Sequence, residues 1–352
     1  MLDRISPRMV MTFFPLIGAL GAFLFASGET FSAALWGRIL IGAGMACVLM
    51  GTMKVFILRF PPERFATLVG IFMSIGTFGN VLAASPLAYF TSVIGWRMTF
   101  ILAGGITTLL AFLAFWILGG EKGSDESVIS SPSEPKIGIL QSIRLVLGSL
   151  AFWQLGTIAF FRYGTSVGLQ GLWLGPYLID IKGYSPIQTG NILVLFAIGQ
   201  IVGGPISGHL SDRTHYSKKE VAIWGLALYS LCLIPLTGVL KMESLFWHGF
   251  IFFFFGFFGG FGILIYAHAK ELYPITISGT AMTLVNFFTM AGAAIFMPAM
   301  GRIIEFFPRI NNVYQAKAYH FSFFVCFLTM VASLLFYSFS KPDKPKHRVR
   351  RS

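Results

Sequence analysis

The chain has 352 residues, 55% of them hydrophobic and only 11% charged, with a mean hydropathy of +0.75 and a net charge of +12. Soluble domains carry roughly 25% charged residues, so this composition excludes a soluble globular fold and belongs in lipid. The basic residues lie in short connectors and a terminal tail, which excludes the folded basic face of a nucleic-acid binder.

Crossing about 30 Å of hydrocarbon takes about 20 apolar residues as a helix, because every backbone polar group must be satisfied within the segment. Such segments recur, whereas the alternating pattern of a membrane barrel is absent. In chain order the predicted spans are Met9–Ala26, Ala33–Leu58, Ala66–Phe90, Met98–Leu118, Ala151–Leu178, Gly190–Leu210, Val221–Leu240, Leu245–Ala269, Ile275–Ile303 and Phe321–Phe339. They make an all-α, polytopic transmembrane bundle of about ten spans.

Gly119–Pro135, rich in Gly, Ser, Glu and Pro, is the only long polar connector and divides the spans four to six. The expected organisation is an amino-terminal bundle over 1–118, a cytoplasmic connector over 119–146, a carboxy-terminal bundle over 147–340 and a basic cytoplasmic tail over 341–352. Within the connector, Ile137, Leu140, Arg144 and Leu147 fit either a plain linker or an apolar stripe lying along the inner membrane surface. Eighteen Lys and Arg fall on the amino-terminal side of the membrane and six on the other, so both termini are expected in the cytoplasm and the chain in the cytoplasmic membrane. Cys47, Cys232 and Cys326 all lie inside spans, which leaves them a packing role as free thiols. Arg4 and Arg8 ahead of an apolar run ending Ala26-Ser27-Gly28 also fit a secretory signal peptide. An internal repeat decides for a retained span.

The polar residues inside the spans are few. Arg162 stands eleven residues past Ala151, about 16 Å along a helix at ~1.5 Å per residue and so near the midplane, where a charge is expensive and marks function. Ser166, Gln170 and Trp173 follow at spacings of four, four and three, a polar stripe on one helical face. A guanidinium offers a fork of donors matched to carboxylate or phosphate, so Arg162 reads as an anion contact, or else as a structural residue bonded to carbonyls at a kink near Gly164. Arg38 is a second candidate contact, five residues inside its span. Asn80, Asn286, Gln170 and Gln200 either bind solute or join helices. No Asp or Glu sits mid-span, which leaves His268 as the only plausible proton carrier in these helices. Gly199, Gly203 or Gly204 and Gly208, like Gly256 and Gly260, form small-residue ridges for close helix approach.

Asp3-Arg4 recurs at Asp212-Arg213, and each is followed by two spans and an aromatic-Pro pair, Phe60-Pro61 and Tyr273-Pro274. From Asp to Pro the separations are 58 and 62 residues; Gly79 and Gly292 each lie 18 residues past their Pro, and Pro86 and Pro298 lie 25 and 24 past it. Matching landmarks imply a duplicated bundle, the arrangement in which transporters hold solute near the midplane between repeats.

At these residues the chain resembles the major facilitator superfamily, whose connector between the second and third helices of each half reads Gly-x-Leu-x-Asp-Arg. Gly208-His209-Leu210-Ser211-Asp212-Arg213 matches it in full. Arg38-x-x-x-Gly42-x-Gly44 is similar to the fourth-helix motif, Glu63-Arg64 to the next inner connector and Gly95-Trp96-Arg97 to the outer connector between the fifth and sixth helices. The family pattern is six plus six helices, and Met1-Leu2-Asp3-Arg4 begins inside the first connector, so the resemblance implies that the first two helices are missing. It also implies that Asp212, Arg213 and Gly208, with Asp3 and Arg4 as the first copy, form gating connectors, and that the helix of Arg162 lines the solute path.

The expected function is secondary transport of a small anionic organic solute by alternating access, with the lipid bilayer as surroundings and no cofactor or bound metal. The alternative is a truncated membrane protein without transport activity. No His/Glu metal motif, Gly-x-Ser-x-Gly elbow or paired intramembrane aspartates point to an enzyme.

Overall fold

The computed structural model describes residues 6–119, 138–240, 244–310 and 313–342. Almost everything described is helical. Among these residues nine stretches are long and apolar enough to cross a membrane. A tenth forms if Ile139–Leu147 and Leu150–Ile181 are counted together across their 81° bend. The ten expected spans correspond to these stretches.

The helices start where the sequence supplies caps. α1 (Pro7–Ser27) opens on Ser6, which accepts from the Met9 amide, with Pro7 in the first turn. α2 (Phe31–Met45) opens on Thr30, and α3 (Val48–Arg59) follows after a break at Ala46-Cys47. α4 (Phe65–Ile94) and α5 (Trp96–Leu118) are joined at Gly95, whose φ of 82° is a conformation suited to glycine. α6 (Ile139–Leu147) is the short amphipathic helix ahead of α7 (Leu150–Gly168). The 81° turn between them is the geometry of a helix lying across the direction of its neighbour.

α8 (Pro186–Arg213) and α9 (Lys218–Leu231) each begin with a capping box, Ser185 with Gln188 and Ser217 with Glu220. α10 (Leu245–Gly259) and α11 (Leu264–Leu272) are separated by a tighter 3-10 segment, Gly260–Ile263. α12 (Ile275–Glu305) and α13 (Ala316–Ser338) are connected through a two-stranded antiparallel hairpin, β1 (Arg309–Ile310) with β2 (Val313–Tyr314), pairing Arg309 with Tyr314. The duplication is visible in the backbone: each copy has a broken helix, α2/α3 and α10/α11, before its aromatic-Pro pair. Phe60 and Tyr273 both turn extended ahead of their proline and end their helices.

By contacts the chain forms two compact units, Met1–Pro62 with Gly79–Ser142, and Glu63–Phe78 with Ile143–Ser352. In the first, α1 packs against α2, α3 and α5 around Val10, Ala19, Met50 and Met53. Arg8 stacks on Phe115 at 3.8 Å and Arg59 donates to the Leu118 carbonyl at 3.0 Å, placing two cations at the carboxy-terminal end of α5, where the helix dipole favours them. In the second, α7 packs on α12 and α8 on α10 around Leu155, Phe196, Tyr229, Phe255 and Phe323. Most of the connector, residues 120–137, and the tail from 343 onward lie outside the described residues.

Candidate functional site

Two places in the second unit bring predicted residues together. The first is the amino terminus of α4. Gly208 of α8 lies against it so closely that a Cβ there would stand 2.7 Å from the Thr67 Cα. The contact carries the end of α8 past the first turn of α4, and Asp212 closes that turn. Its Oδ2 accepts from both the amide and the hydroxyl of Thr67, at 2.8 Å each. A helix amino terminus leaves N–H groups unsatisfied and favours a negative charge, so the carboxylate answers both needs. Arg213 is exposed and forms no ion pair with Asp212 among the described residues; the hydrogen bonds of Asp212 go to a helix end. Asp3 and Arg4 lie outside the described residues. Beside Asp212, buried Lys218 pairs with Glu271.

The second place is Arg162, 7% exposed in α7. Its Nη1 donates to the Gly259 carbonyl at 2.9 Å, at the point where α10 gives way to the 3-10 segment. No carboxylate lies within ion-pairing distance of it among the described residues, and its Nε is buried with no hydrogen-bond partner. One turn on, buried Ser166 accepts from Gln200 of α8 at 3.2 Å. Tyr229 and Tyr266 are close enough for the guanidinium charge to act on both phenols, and the single O–H of Tyr266 is shared between Asn286 Oδ1 at 3.0 Å and Thr289 Oγ1 at 3.2 Å. The result is a buried polar cluster on α7, α8, α9, α11 and α12 around one cation.

The polar stripe is only partly kept. Beyond Gly168 the helix widens into π turns at Leu169–Trp173 and Tyr177–Ile181, with i→i+5 bonds such as Leu174 N–H to the Leu169 carbonyl. Wider turns rotate the later residues away from the face of Arg162 and Ser166. Trp173 faces α12, where its indole N–H donates to the Met297 carbonyl at 3.2 Å, and Gln170 is half-buried one turn past Ser166. Arg38 belongs to the first unit, where its guanidinium lies over Phe25 at 4.5 Å and Phe100 at 5.4 Å. The His268 ring nitrogens contact the Tyr337 hydroxyl at 2.9 Å and the Lys341 carbonyl at 3.0 Å, tying α11 to the end of α13. Sequence reasoning missed Thr67, Gly259 and Gly262. The run Gly259-Gly260-Phe261-Gly262 was a legible signal of a helix break, but nothing local tied it to Arg162.

Comparison with known proteins agrees with this architecture. A probable galactarate/D-glucarate transporter of Escherichia coli strain K12 is 22% identical over 301 residues, 76% of this chain and 64% of that protein. Its namesake in Bacillus subtilis strain 168 is 24% identical over 329 residues, 82% of this chain and 69% of that protein. A purine ribonucleoside efflux pump of Escherichia coli O1:K1 is 24% identical over 234 residues, covering 64% of this chain and 54% of the pump. The chain thus spans from about half to two thirds of the length of these relatives. Among solved structures, the Escherichia coli fucose:proton symporter aligns over 96% of this chain and 85% of its own with a TM-score of 0.69 at 16% identity. A bacterial homologue of the iron transporter ferroportin aligns over 96% and 84% with a TM-score of 0.69 at 14% identity. The chain is an integral membrane protein, and with residues 1–190 and 156–352 both matching the family profile it belongs to the Major Facilitator Superfamily.

Proposed function

We propose that this chain is a secondary transporter that moves a small anionic organic solute across the cytoplasmic membrane by alternating access, with both termini in the cytoplasm. The observation that carries the anionic preference is Arg162, a buried guanidinium with no carboxylate within reach and an Nε–H without a partner among the described residues. An uncompensated charge at such depth costs about 2.5–3.5 kcal/mol on insertion scales, and one carbonyl answers only part of it. A carboxylate arriving from solution supplies the rest, and a guanidinium binds it in a forked geometry that an ammonium cannot reproduce. The named substrates of two relatives, galactarate and D-glucarate, are such anions.

In this reading Arg162 holds the solute's carboxylate and Ser166, oriented by Gln200, takes a neighbouring hydroxyl. Gln170, half-buried one turn past Ser166, is a further contact along the path. Gating falls to Asp212, whose hold on the first turn of α4 is made in one state and released in the other, with Gly208 allowing the approach.

The test is equilibrium binding of D-glucarate to the purified chain in lipid nanodiscs, with neutral D-sorbitol as control. Arg162→Lys should weaken D-glucarate and Arg162→Gln should weaken it further, by about tenfold or more, the scale of a hydrogen bond to a charged group. D-sorbitol should be bound weakly and alike by all three. Unchanged D-glucarate affinity in a folded Arg162→Gln chain would make Arg162 a structural residue that braces the α10–α11 break.

A further inference from the structure

Arg162 ends among glycines. Gly259 provides the carbonyl for Nη1, and three residues on Gly262 lies against the guanidinium: a Cβ there would stand 2.5 Å from both Cζ and Nε and 3.0 Å from Cδ of Arg162. Non-bonded heavy atoms settle at about 3.5–4.0 Å, so any side chain at 262 takes volume that the guanidinium fills. The backbone does not require glycine at this position, since positive φ angles occur only at Gly95, Gly183 and Gly238 among the described glycines. Space is the reason. At Gly259, by contrast, a Cβ would meet only Tyr229 at 3.4 Å and Gln200 at 3.5 Å, which is ordinary contact.

We propose that Gly262 is the positioning residue for anion recognition: its bare Cα seats the Arg162 guanidinium so that Nη1 is spent on Gly259 and the Nε side is left for a carboxylate of the solute. The inference rests on the anionic-solute reading and adds how selectivity is set. With Nη1 engaged and Nε–H buried without a partner, the pair of donors that no described residue engages is Nε and Nη2. A planar carboxylate accepts from both, whereas a hydroxyl satisfies only one. The ligand class is therefore a hydroxylated carboxylate and not a neutral polyol.

Gly262→Ala tests this, because the atoms a new methyl would strike are at the far end of a flexible side chain. The methyl displaces the guanidinium and leaves the helices in place. Four variants of the full chain, Gly262→Ala, Gly190→Ala, Arg162→Gln and the double Gly262→Ala/Arg162→Gln, are titrated in nanodiscs with D-glucarate and D-sorbitol, and each is melted to check folding. Gly262→Ala should weaken D-glucarate about tenfold, the scale of a charge-assisted hydrogen bond, leave D-sorbitol unchanged, and add nothing once Arg162 is Gln. Gly190→Ala, at a glycine of α8 with open space around it, should bind both as the unmodified chain does.

Equal weakening of both probes by Gly262→Ala would overturn the positioning role and leave the anion site standing. So would an equal cost of that substitution with and without Arg162, a matching loss in Gly190→Ala, no loss in Gly262→Ala, or failure of Gly262→Ala to fold. An unmodified chain that does not prefer D-glucarate to D-sorbitol would overturn the anionic reading itself and the inference with it.

Discussion

Asp212 and Thr67 lie 145 positions apart in sequence, yet the carboxylate at the end of α8 accepts both the amide and the hydroxyl of Thr67 in the first turn of α4. The contact joins the family's connector motif to a helix that the motif does not mention. It turns a local charge into a hold on a helix end.

Asp212→Asn keeps an acceptor for Thr67 and removes the charge that the helix terminus favours. The expected loss is about 1–2 kcal/mol, which changes the balance between inward- and outward-accessible forms by roughly five- to thirtyfold. Thiol accessibility at the two mouths measures it, and D-glucarate binding in the same variant should be unchanged. Weakened binding with unaltered accessibility would remove the gating role.

α8 touches α10 and the 3-10 segment after it backbone to backbone: a Cβ at Gly203 would clash with the Phe257 carbonyl, and one at Gly260 would come 2.5 Å from the Gly204 amide nitrogen. A backbone cannot give way as a side chain can. Gly203→Ala should therefore destabilise the fold by about 1–3 kcal/mol, the cost of overpacking. Gly190→Ala, in the same helix but with open space around it, should be neutral or slightly stabilising. Thermal unfolding of the two variants in one detergent decides.

Lys218 is buried at the start of α9 and pairs with the partly exposed Glu271 of α11. Glu271→Gln leaves the ammonium without its carboxylate and should cost about 2 kcal/mol, less than a fully buried pair because Glu271 is reached by water. Lys218→Met combined with Glu271→Leu should recover most of that loss. A double variant as unstable as Glu271→Gln would show that the loss is not the cost of an unpaired buried ammonium.

The proposed orientation puts the α8–α9 connector in the cytoplasm and the β1–β2 hairpin outside. Tyr216 and Ile310 are 60% and 59% exposed in these segments. In intact cells an impermeant thiol reagent should modify Ile310→Cys and spare Tyr216→Cys until the membrane is opened. The reverse pattern would invert the topology.

The sequence alone determined what depends on single segments. Each span is a run of apolar residues long enough to satisfy its own backbone, so the helices were legible one by one, and so was the duplication marked by Phe60-Pro61 and Tyr273-Pro274. Arg162 was legible as an anomaly because burying a charge is costly wherever its neighbours lie. Only the tertiary structure decided what answers that charge, since Gly259 and Gly262 are about a hundred residues away and reach it through the packing of α7 near the α10–α11 break. The same holds for the π turns that rotate Trp173 onto Met297: periodicity assumes 3.6 residues per turn, and a widened turn breaks that assumption without altering composition. Asp212 carried its charge in the sequence, but a helix end becomes a partner only when close packing at Gly208 brings it within 2.8 Å. Hydrophobic length is a sum over neighbours in the chain, whereas a site is a coincidence of distant residues in space, and that coincidence is set by which helices can approach.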